Sequence, residues 1–126
     1  MITSTLVTST STSVPVKVFT STTTGAALNP PSVIGQKNAL TTTILCNTGA
    51  ATLSDETANA VQVSIYLVKY GHSYGTSSCI ISNLVVPAGE TVFLSEERIV
   101  LDEGDEIWVG TNVANLLAVT VSTLPV

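Results

Sequence analysis

The sequence contains few charged residues. Only 10% of its 126 residues are Asp, Glu, Lys or Arg, against roughly 25% in a typical soluble domain. Neutral hydroxyls take their place, since 20 threonines and 14 serines make up 34 of the 126 residues. Charged side chains keep free monomers apart in solution. A surface this neutral therefore predicts that other protein covers much of it.

Positive charge is especially scarce. The net charge is −5, and the only basic residues are Lys17, Lys37, Lys69 and Arg98. Neutralising a phosphate backbone requires clustered Lys and Arg. This composition argues against direct nucleic-acid binding.

The two cysteines, Cys46 and Cys79, are too few for a disulfide framework. Strand alternation places Cys46 on one face with Leu40, Thr42 and Ile44, which predicts a small buried apolar residue. Whether Cys46 and Cys79 pair with each other is left open.

Signals for export or membrane insertion are also missing. The first seven residues have no basic region and no sustained apolar run. No stretch approaches the roughly 18 apolar residues of a membrane span, and no Asn-x-Ser/Thr sequon occurs. We expect a protein that is made and used without export.

What the sequence does contain is a succession of alternating segments and turns. Residues 61–67 and 117–122 alternate apolar with polar residues, as half-buried strands do. Turns are predicted at Pro-Ala-Gly (87–89) and Asp-Glu-Gly-Asp (102–105), because these residue types are typical of turns. Loops are predicted at 23–32, which contains two prolines, and at 48–59. The predicted strands are Leu40–Asn47, Val61–Tyr70, Ile80–Val86, Thr91–Leu94, Glu106–Thr111 and Leu117–Ser122.

Short strands at regular spacing predict an all-β fold, a two-layer antiparallel β-sandwich spanning residues 14–126. The jelly-roll and immunoglobulin-like topologies both remain open. Val14, Val16 and Val18 share one predicted face, and Pro15 confines their strand to a sheet edge. Residues 1–13 are nearly all Thr and Ser, which predicts an extended N-terminal arm that lies on a neighbouring subunit.

Residues 40–126 resemble a recurrent small structural protein of tailed-bacteriophage virions. The resemblance rests on a succession of five motifs. These are a Thr-rich strand with an Asn-Thr turn (Thr41–Gly49), an alternating strand ending in Lys-x-Gly (Val61–Gly71), Val-Pro-Ala-Gly-Glu-Thr-Val (Val86–Val92), Leu-x-x-Gly-Asp-x-Ile (Leu101–Ile107) and Leu-x-Val-Thr-Val-Ser (Leu117–Ser122). The first 39 residues match no part of this pattern.

The resemblance implies a β-sandwich that is part of a virion assembled in the host cytoplasm, with no catalytic residues and no cofactor. The favoured function is a capsid decoration or cement protein that binds the major capsid protein across neighbouring capsomers. The alternative is a tail, neck or baseplate module that binds tail proteins, and a third function is a carbohydrate-binding receptor domain. We also expect a homo-oligomer, with a trimer favoured.

The predicted interface residues fall into two groups. Tyr66, Tyr70, His72 and Tyr74 lie around one exposed connection, and Trp108 points outward if its neighbours Ile107 and Val109 face the core. Aromatic residues suit contact surfaces because they cover area with few rotors. The competing interpretation is that these rings pack within the chain. In the arm, the interface residues are Thr3, Thr5, Leu6 and Thr8.

Two groups of polar residues suggest chemistry at first sight. His72 is the only histidine, but a hydrolase would need a nucleophile and an orienting group beside it, and no Gly-x-Ser-x-Gly elbow is present. Seven of the nine acidic residues lie between Glu90 and Glu106. Residues 102–106 lack the spaced ligand series of a Ca²⁺ loop. They predict a hairpin turn with solvated carboxylates and no metal site.

Overall fold

The computed structural model describes residues 2–21, 37–52, 54, 58–94 and 99–125. Within these residues the chain forms nine β-strands and a short 3-10 helix, Thr76–Ser78. The strands are β1 (Ile2–Leu6), β2 (Val16–Thr20), β3 (Asn38–Asn47), β4 (Val61–Val68), β5 (Cys79–Val86), β6 (Thr91–Leu94), β7 (Ile99–Leu101), β8 (Glu106–Thr111) and β9 (Leu117–Pro125).

The strands form two antiparallel sheets. The five-stranded sheet has the order β1-β9-β3-β6, with β7 also paired to β3, and the four-stranded sheet has the order β2-β8-β4-β5. Thus β1 pairs with β9, β2 with β8, β3 with β6 and β7, and β4 with β5. This is the arrangement of one long hairpin rolled into two sheets, the jelly roll. The predicted all-β sandwich is confirmed. Of the two topologies that the sequence left open, jelly roll and immunoglobulin-like, the strand order is that of the jelly roll.

Alternating side chains from both sheets build one core. Val61, Val63 and Ile65 of β4 face Val119 and Val121 of β9, and each is at most 3% exposed. Burying such aliphatic side chains is the main favourable contribution to folding. The two most regular segments of the sequence therefore form the centres of the two layers.

A bulge in β3 overturns the predicted environment of Cys46. The pairing of β3 with β9 shifts register between Leu40 and Thr42, so alternation restarts and Thr43 and Leu45 face the core. Cys46 points outward and is half-buried, which makes the prediction of a buried residue wrong. Both Cys46 and Cys79 are free thiols.

A second bulge changes β2, whose predicted position at a sheet edge is confirmed. Register shifts between Lys17 and Phe19, and Val18 and Phe19 are consequently both buried. Val14 precedes the strand and is 58% exposed. The predicted common face of Val14, Val16 and Val18 is therefore wrong.

The N-terminal segment belongs to the sandwich itself. Strand β1 pairs with β9 over five residues, from Ile2 opposite Ser122 to Leu6 opposite Ala118, and Val7 is fully buried. The structure corrects the prediction of an arm that lies on a neighbouring subunit, because these residues pair with β9 of their own chain. Thr suits a strand, and Val7 anchors that strand to the core.

Residues 8–15 then cross to the outer face of the four-stranded sheet. The hydroxyl of Ser9 donates to the carbonyl of Val14 at 2.7 Å, and the hydroxyl of Thr111 donates to the carbonyl of Ser9 at 3.0 Å. The carbonyl of Thr12 lies over Gly110. This crossing segment fastens the two layers together at one side.

Most predicted strands agree with the structure within three residues, and β6 and β8 agree at both ends. The short strand β7 was not predicted. The predicted loop at 23–32 lies outside the described residues, as do Asp55 and Glu56 in the loop at 48–59.

Candidate functional site

The outer face of the five-stranded sheet presents no charged side chain at its described strand positions. We call this surface the uncharged face. Its residues follow from the strand registers and from the burial of their neighbours. They are Ile2, Ser4, Leu6, Ala39, Thr41, Thr42, Ile44, Cys46, Thr91, Phe93, Val100, Ala118, Thr120, Ser122 and Leu124.

Large apolar side chains on this face are well exposed. Ile2 is 73% exposed, Phe93 63%, Leu124 58%, Val100 52% and Leu6 47%. Isolated exposed apolar residues are ordinary, but soluble monomers rarely expose contiguous apolar patches larger than a few hundred Å². A sheet face with these side chains, and with small, hydroxyl or apolar residues between them, has the composition of an interface core, which is depleted of charge.

The described ion pairs lie on the outer side of the four-stranded sheet and at one end of the uncharged face, beyond its strand positions. Lys17 on β2 pairs with Glu106 on β8 at 3.2 Å, on the outer side of the four-stranded sheet. Lys37, just before β3, pairs with Asp102 at 3.7 Å, and both are largely exposed. The two outer faces of the sandwich are therefore chemically different.

An aromatic cluster lies on the outer face of the four-stranded sheet. The rings of Tyr74 and Trp108 have centroids 5.2 Å apart at an interplanar angle of 44°. Those of Tyr66 and Tyr74 are 6.2 Å apart at 57°. Ile107 and Val109 are buried, so Trp108 points outward as predicted.

The chain's own segments cover much of this cluster. Trp108 is half-buried, and its Nε1 donates to Oε1 of Glu106 at 3.3 Å. Tyr66 is only 8% exposed, and its hydroxyl donates to the carbonyl of Thr12 at 2.7 Å. Burial raises the pKa of Tyr66 above its usual 10.0, and nearby Cys79 adds to the shift. Packing within the chain thus explains the burial of Tyr66, whereas the side chain of Tyr74 remains 38% exposed.

Tyr70 and His72 lie outside this cluster. Tyr70 is 76% exposed, and its ring leans on the backbone at Gly104, where an added Cβ would lie 2.5 Å from Cδ2 of the ring. His72 is exposed, and its Nδ1 lies 3.1 Å from the carbonyl of Tyr70. Of the predicted tyrosine and histidine group, Tyr66 and Tyr74 therefore belong to the aromatic cluster. Tyr70 and His72 lie in a separate loop.

The predicted interface residues of the N-terminal segment also divide. Leu6 lies on the uncharged face and Thr8 is exposed. Thr3 and Thr5 are half-buried and lie opposite the core residues Val121 and Val119. Among the side chains of β1, those of Ile2, Ser4 and Leu6 point outward from the sheet.

The acidic residues at 102–105 form the predicted turn. Gly104 has a φ of 89°, a conformation that favours glycine. The carboxylate of Asp105 accepts the N–H of Asp102 at 2.9 Å and that of Tyr70 at 3.0 Å. This carboxylate is therefore a structural acceptor rather than only a solvated charge. No group of three or more His, Cys, Asp or Glu among the described residues could hold a metal ion.

An apolar cleft of about 510 Å³ opens between the sheets at the side formed by β5, β6 and β7. Its lining residues are Leu40, Thr43, Ile65, Leu67, Ile80, Ile81, Phe93, Leu94, Ile99 and Ile107. Among the described lining residues, Thr43 alone has a polar side chain.

Comparison of the chain with protein-family models, curated proteins and solved structures finds no match. In the part of the chain that the structure describes, no helix is long and apolar enough to cross a membrane.

The neutral composition is evident from the sequence, but the position of the uncharged face is not. Phe93, Val100 and Leu124 cannot be recognised as outward-facing from the sequence, because their direction depends on register with other strands. The available signal was the scarcity of Lys and Glu at the polar positions of β3 and β9, where Thr, Ser and Ala occur instead.

Proposed function

We propose that this protein is a non-enzymatic structural protein of a tailed-bacteriophage virion, a capsid decoration or cement protein that binds across neighbouring capsomers. The uncharged face carries the proposal. Its exposed Ile2, Phe93, Val100 and Leu124 offer an apolar surface that another protein would cover. The virion setting comes from the resemblance of the strand and turn motifs to phage structural proteins.

Two further observations support this proposal. Jelly rolls recur in viral capsid and lectin domains, although a fold alone does not set a function. Because such proteins occur in many copies on a lattice, weak contacts at each copy would add up to firm attachment.

A pair of valines tests the proposal. Val100 on the uncharged face and Val85 on the outer side of β5 are each 52% exposed. Val100→Lys should lower occupancy on particles that lack the native protein, because it places a charge inside the interface. Val85→Lys is the matched control and should bind like wild type. Equal occupancy of both variants would show that attachment uses another surface.

Imaging of the particle distinguishes the alternatives within this class. A head-wide lattice supports the decoration role, whereas a single ring at one vertex supports a tail, neck or baseplate module.

One observation favours a glycan-binding role as a second candidate. Tyr74 stacks on Trp108 and stays 38% exposed, and a partly exposed aromatic pair is a surface on which a sugar ring can pack. Wild-type protein should then bind components of a glycan array, and Tyr74→Ala should not. Absence of binding by wild-type protein would remove this candidate.

A further inference from the structure

Strand β1 forms one edge of the five-stranded sheet, and it lacks the features that usually prevent another strand from pairing with an edge strand. Among the described strands, β1 pairs only with β9. Natural edge strands carry Lys, Pro or bulges that block the addition of another strand. At the edge of the other sheet, β2 has Lys17 and a bulge. Strand β1 has none of these features.

The backbone of β1 has hydrogen-bonding groups that point away from β9. The N–H of Val7 donates to the carbonyl of Leu117 at 2.9 Å, and the carbonyl of Val7 accepts from the N–H of Asn115 at 2.9 Å. Successive residues of an antiparallel strand alternate in direction. Thr3 and Thr5 therefore face β9 like Val7, whereas the even-numbered residues present N–H and C=O groups to the open edge.

The side chains of β1 are self-complementary. Its sequence, Ile-Thr-Ser-Thr-Leu, reads almost the same in both directions about Ser4. In an antiparallel pair centred on Ser4, Ile2 lies opposite Leu6 of the second copy, Thr3 lies opposite Thr5, and Ser4 lies opposite itself. Apolar pairs and Thr–Thr pairs are among the favourable cross-strand combinations. The register that matches the side chains also matches the outward backbone groups.

We propose that two copies of this chain associate through β1 about a twofold axis at Ser4. Their five-stranded sheets then join into one ten-stranded sheet. Each copy contributes the N–H and C=O groups of Ile2, Ser4 and Leu6, so the contact is isologous and closes as a dimer. It covers Ile2 and Leu6, which are 73% and 47% exposed in the single chain. The inference does not depend on a virion setting.

A proline substitution tests the hydrogen bonds. Because the N–H of Ser4 points away from β9, Ser4→Pro removes a donor to the second copy and leaves the β1–β9 ladder intact. Sedimentation from low micromolar to submillimolar concentration should show a dimer for wild type and a monomer for Ser4→Pro, with little change in melting temperature. Thr5→Pro is the control for folding. Its N–H faces β9, so we expect a lower melting temperature.

Engineered cysteines test the register, in a background carrying Cys46→Ser and Cys79→Ser. Ser4→Cys places two thiols opposite each other with Cα atoms roughly 5.5 Å apart, within disulfide range. Ile2→Cys places the two thiols roughly 13 Å apart along the strand. Mild oxidation should therefore cross-link Ser4→Cys and leave Ile2→Cys as a monomer on a denaturing gel.

Three results would overturn the proposal. These are a wild-type protein that stays monomeric over the whole concentration range, a Ser4→Pro variant with the same mass as wild type, and cross-linking of Ile2→Cys as fast as Ser4→Cys. Each uses pure protein, so none of them bears on particle attachment. Loss of particle occupancy in Val100→Lys alone would likewise leave the dimer unaffected.

Discussion

The hydroxyl of Tyr66 donates a hydrogen bond of 2.7 Å to the main-chain carbonyl of Thr12. The same carbonyl lies over Gly110, where an added Cβ would come within 2.5 Å of the oxygen. One residue of the crossing segment is thus held by two strands of the four-stranded sheet, β4 and β8. This contact explains why the N-terminal residues cover their own sandwich.

Gly110→Ala should destabilise the protein. The methyl group would meet backbone atoms of Thr12, which cannot rotate away as a side chain can, so the crossing segment must lift. We expect a cost of roughly 1–3 kcal/mol, measured by urea unfolding. Gly75→Ala is the control, because Gly75 is extended at φ 179° and has nothing within 4 Å of an added Cβ. Equal stabilities of the two variants would contradict the contact.

Tyr66→Phe should lower the free energy of unfolding by about 1 kcal/mol, the usual net loss for one hydrogen bond. The variant should also change the response to alkali. Burial raises the pKa of Tyr66 in the folded chain, so the unfolded state loses its proton first as pH rises above about 10. Wild type should therefore lose more stability than Tyr66→Phe as the pH rises above about 10. Equal losses of stability in the two proteins would show that ionisation of Tyr66 does not contribute to unfolding in alkali.

Particular residues show how far the sequence predicts this structure. The alternation of β4 and β9 and the turns at Gly89 and Gly104 were enough to identify a sandwich. The bulges near Val18 and Thr41 were not predicted, because an extra residue shifts the alternation without leaving a composition signal. The bulge near Thr41 turned Cys46 away from the core, and the bulge near Val18 buried Val18 and Phe19 together.

The candidate surface was predictable only in part. Trp108 could be assigned an outward direction because its flanking residues are plainly core residues. The contact of Trp108 with Tyr74 could not be predicted, since it depends on how the connection from Gly71 to Gly75 folds back onto the sheet. Phe93 and Ile2 lie on the same face, at its opposite edges, only because β1, β9, β3 and β6 pair in this order.

The N-terminal segment should be necessary for stability. The sequence predicts a sandwich of residues 14–126, for which residues 1–13 would be dispensable. The structure instead predicts that their removal causes a large loss of stability, because Val7 is fully buried and β1 is a strand of the sheet. Val7→Ala should cost roughly 2 kcal/mol through the cavity it leaves. Thr8→Ala, at the adjacent exposed position, should be close to neutral. A truncated protein that melts like wild type would restore the arm interpretation.

Asp105 should stabilise the fold more than the other aspartate of its turn. Its carboxylate accepts two main-chain N–H groups, from Asp102 at 2.9 Å and from Tyr70 at 3.0 Å, and so joins the turn before β8 to the connection after β4. Asp105→Ala should cost roughly 1–2 kcal/mol, reduced from the value for buried acceptors because water can reach these donors. Asp102→Ala removes the same charge, but among the contacts of the described residues its side chain makes only an exposed ion pair with Lys37, which is worth little. Urea unfolding of both variants measures the difference. If Asp102→Ala is as destabilising as Asp105→Ala, loss of acidic charge rather than loss of the two hydrogen bonds explains the effect.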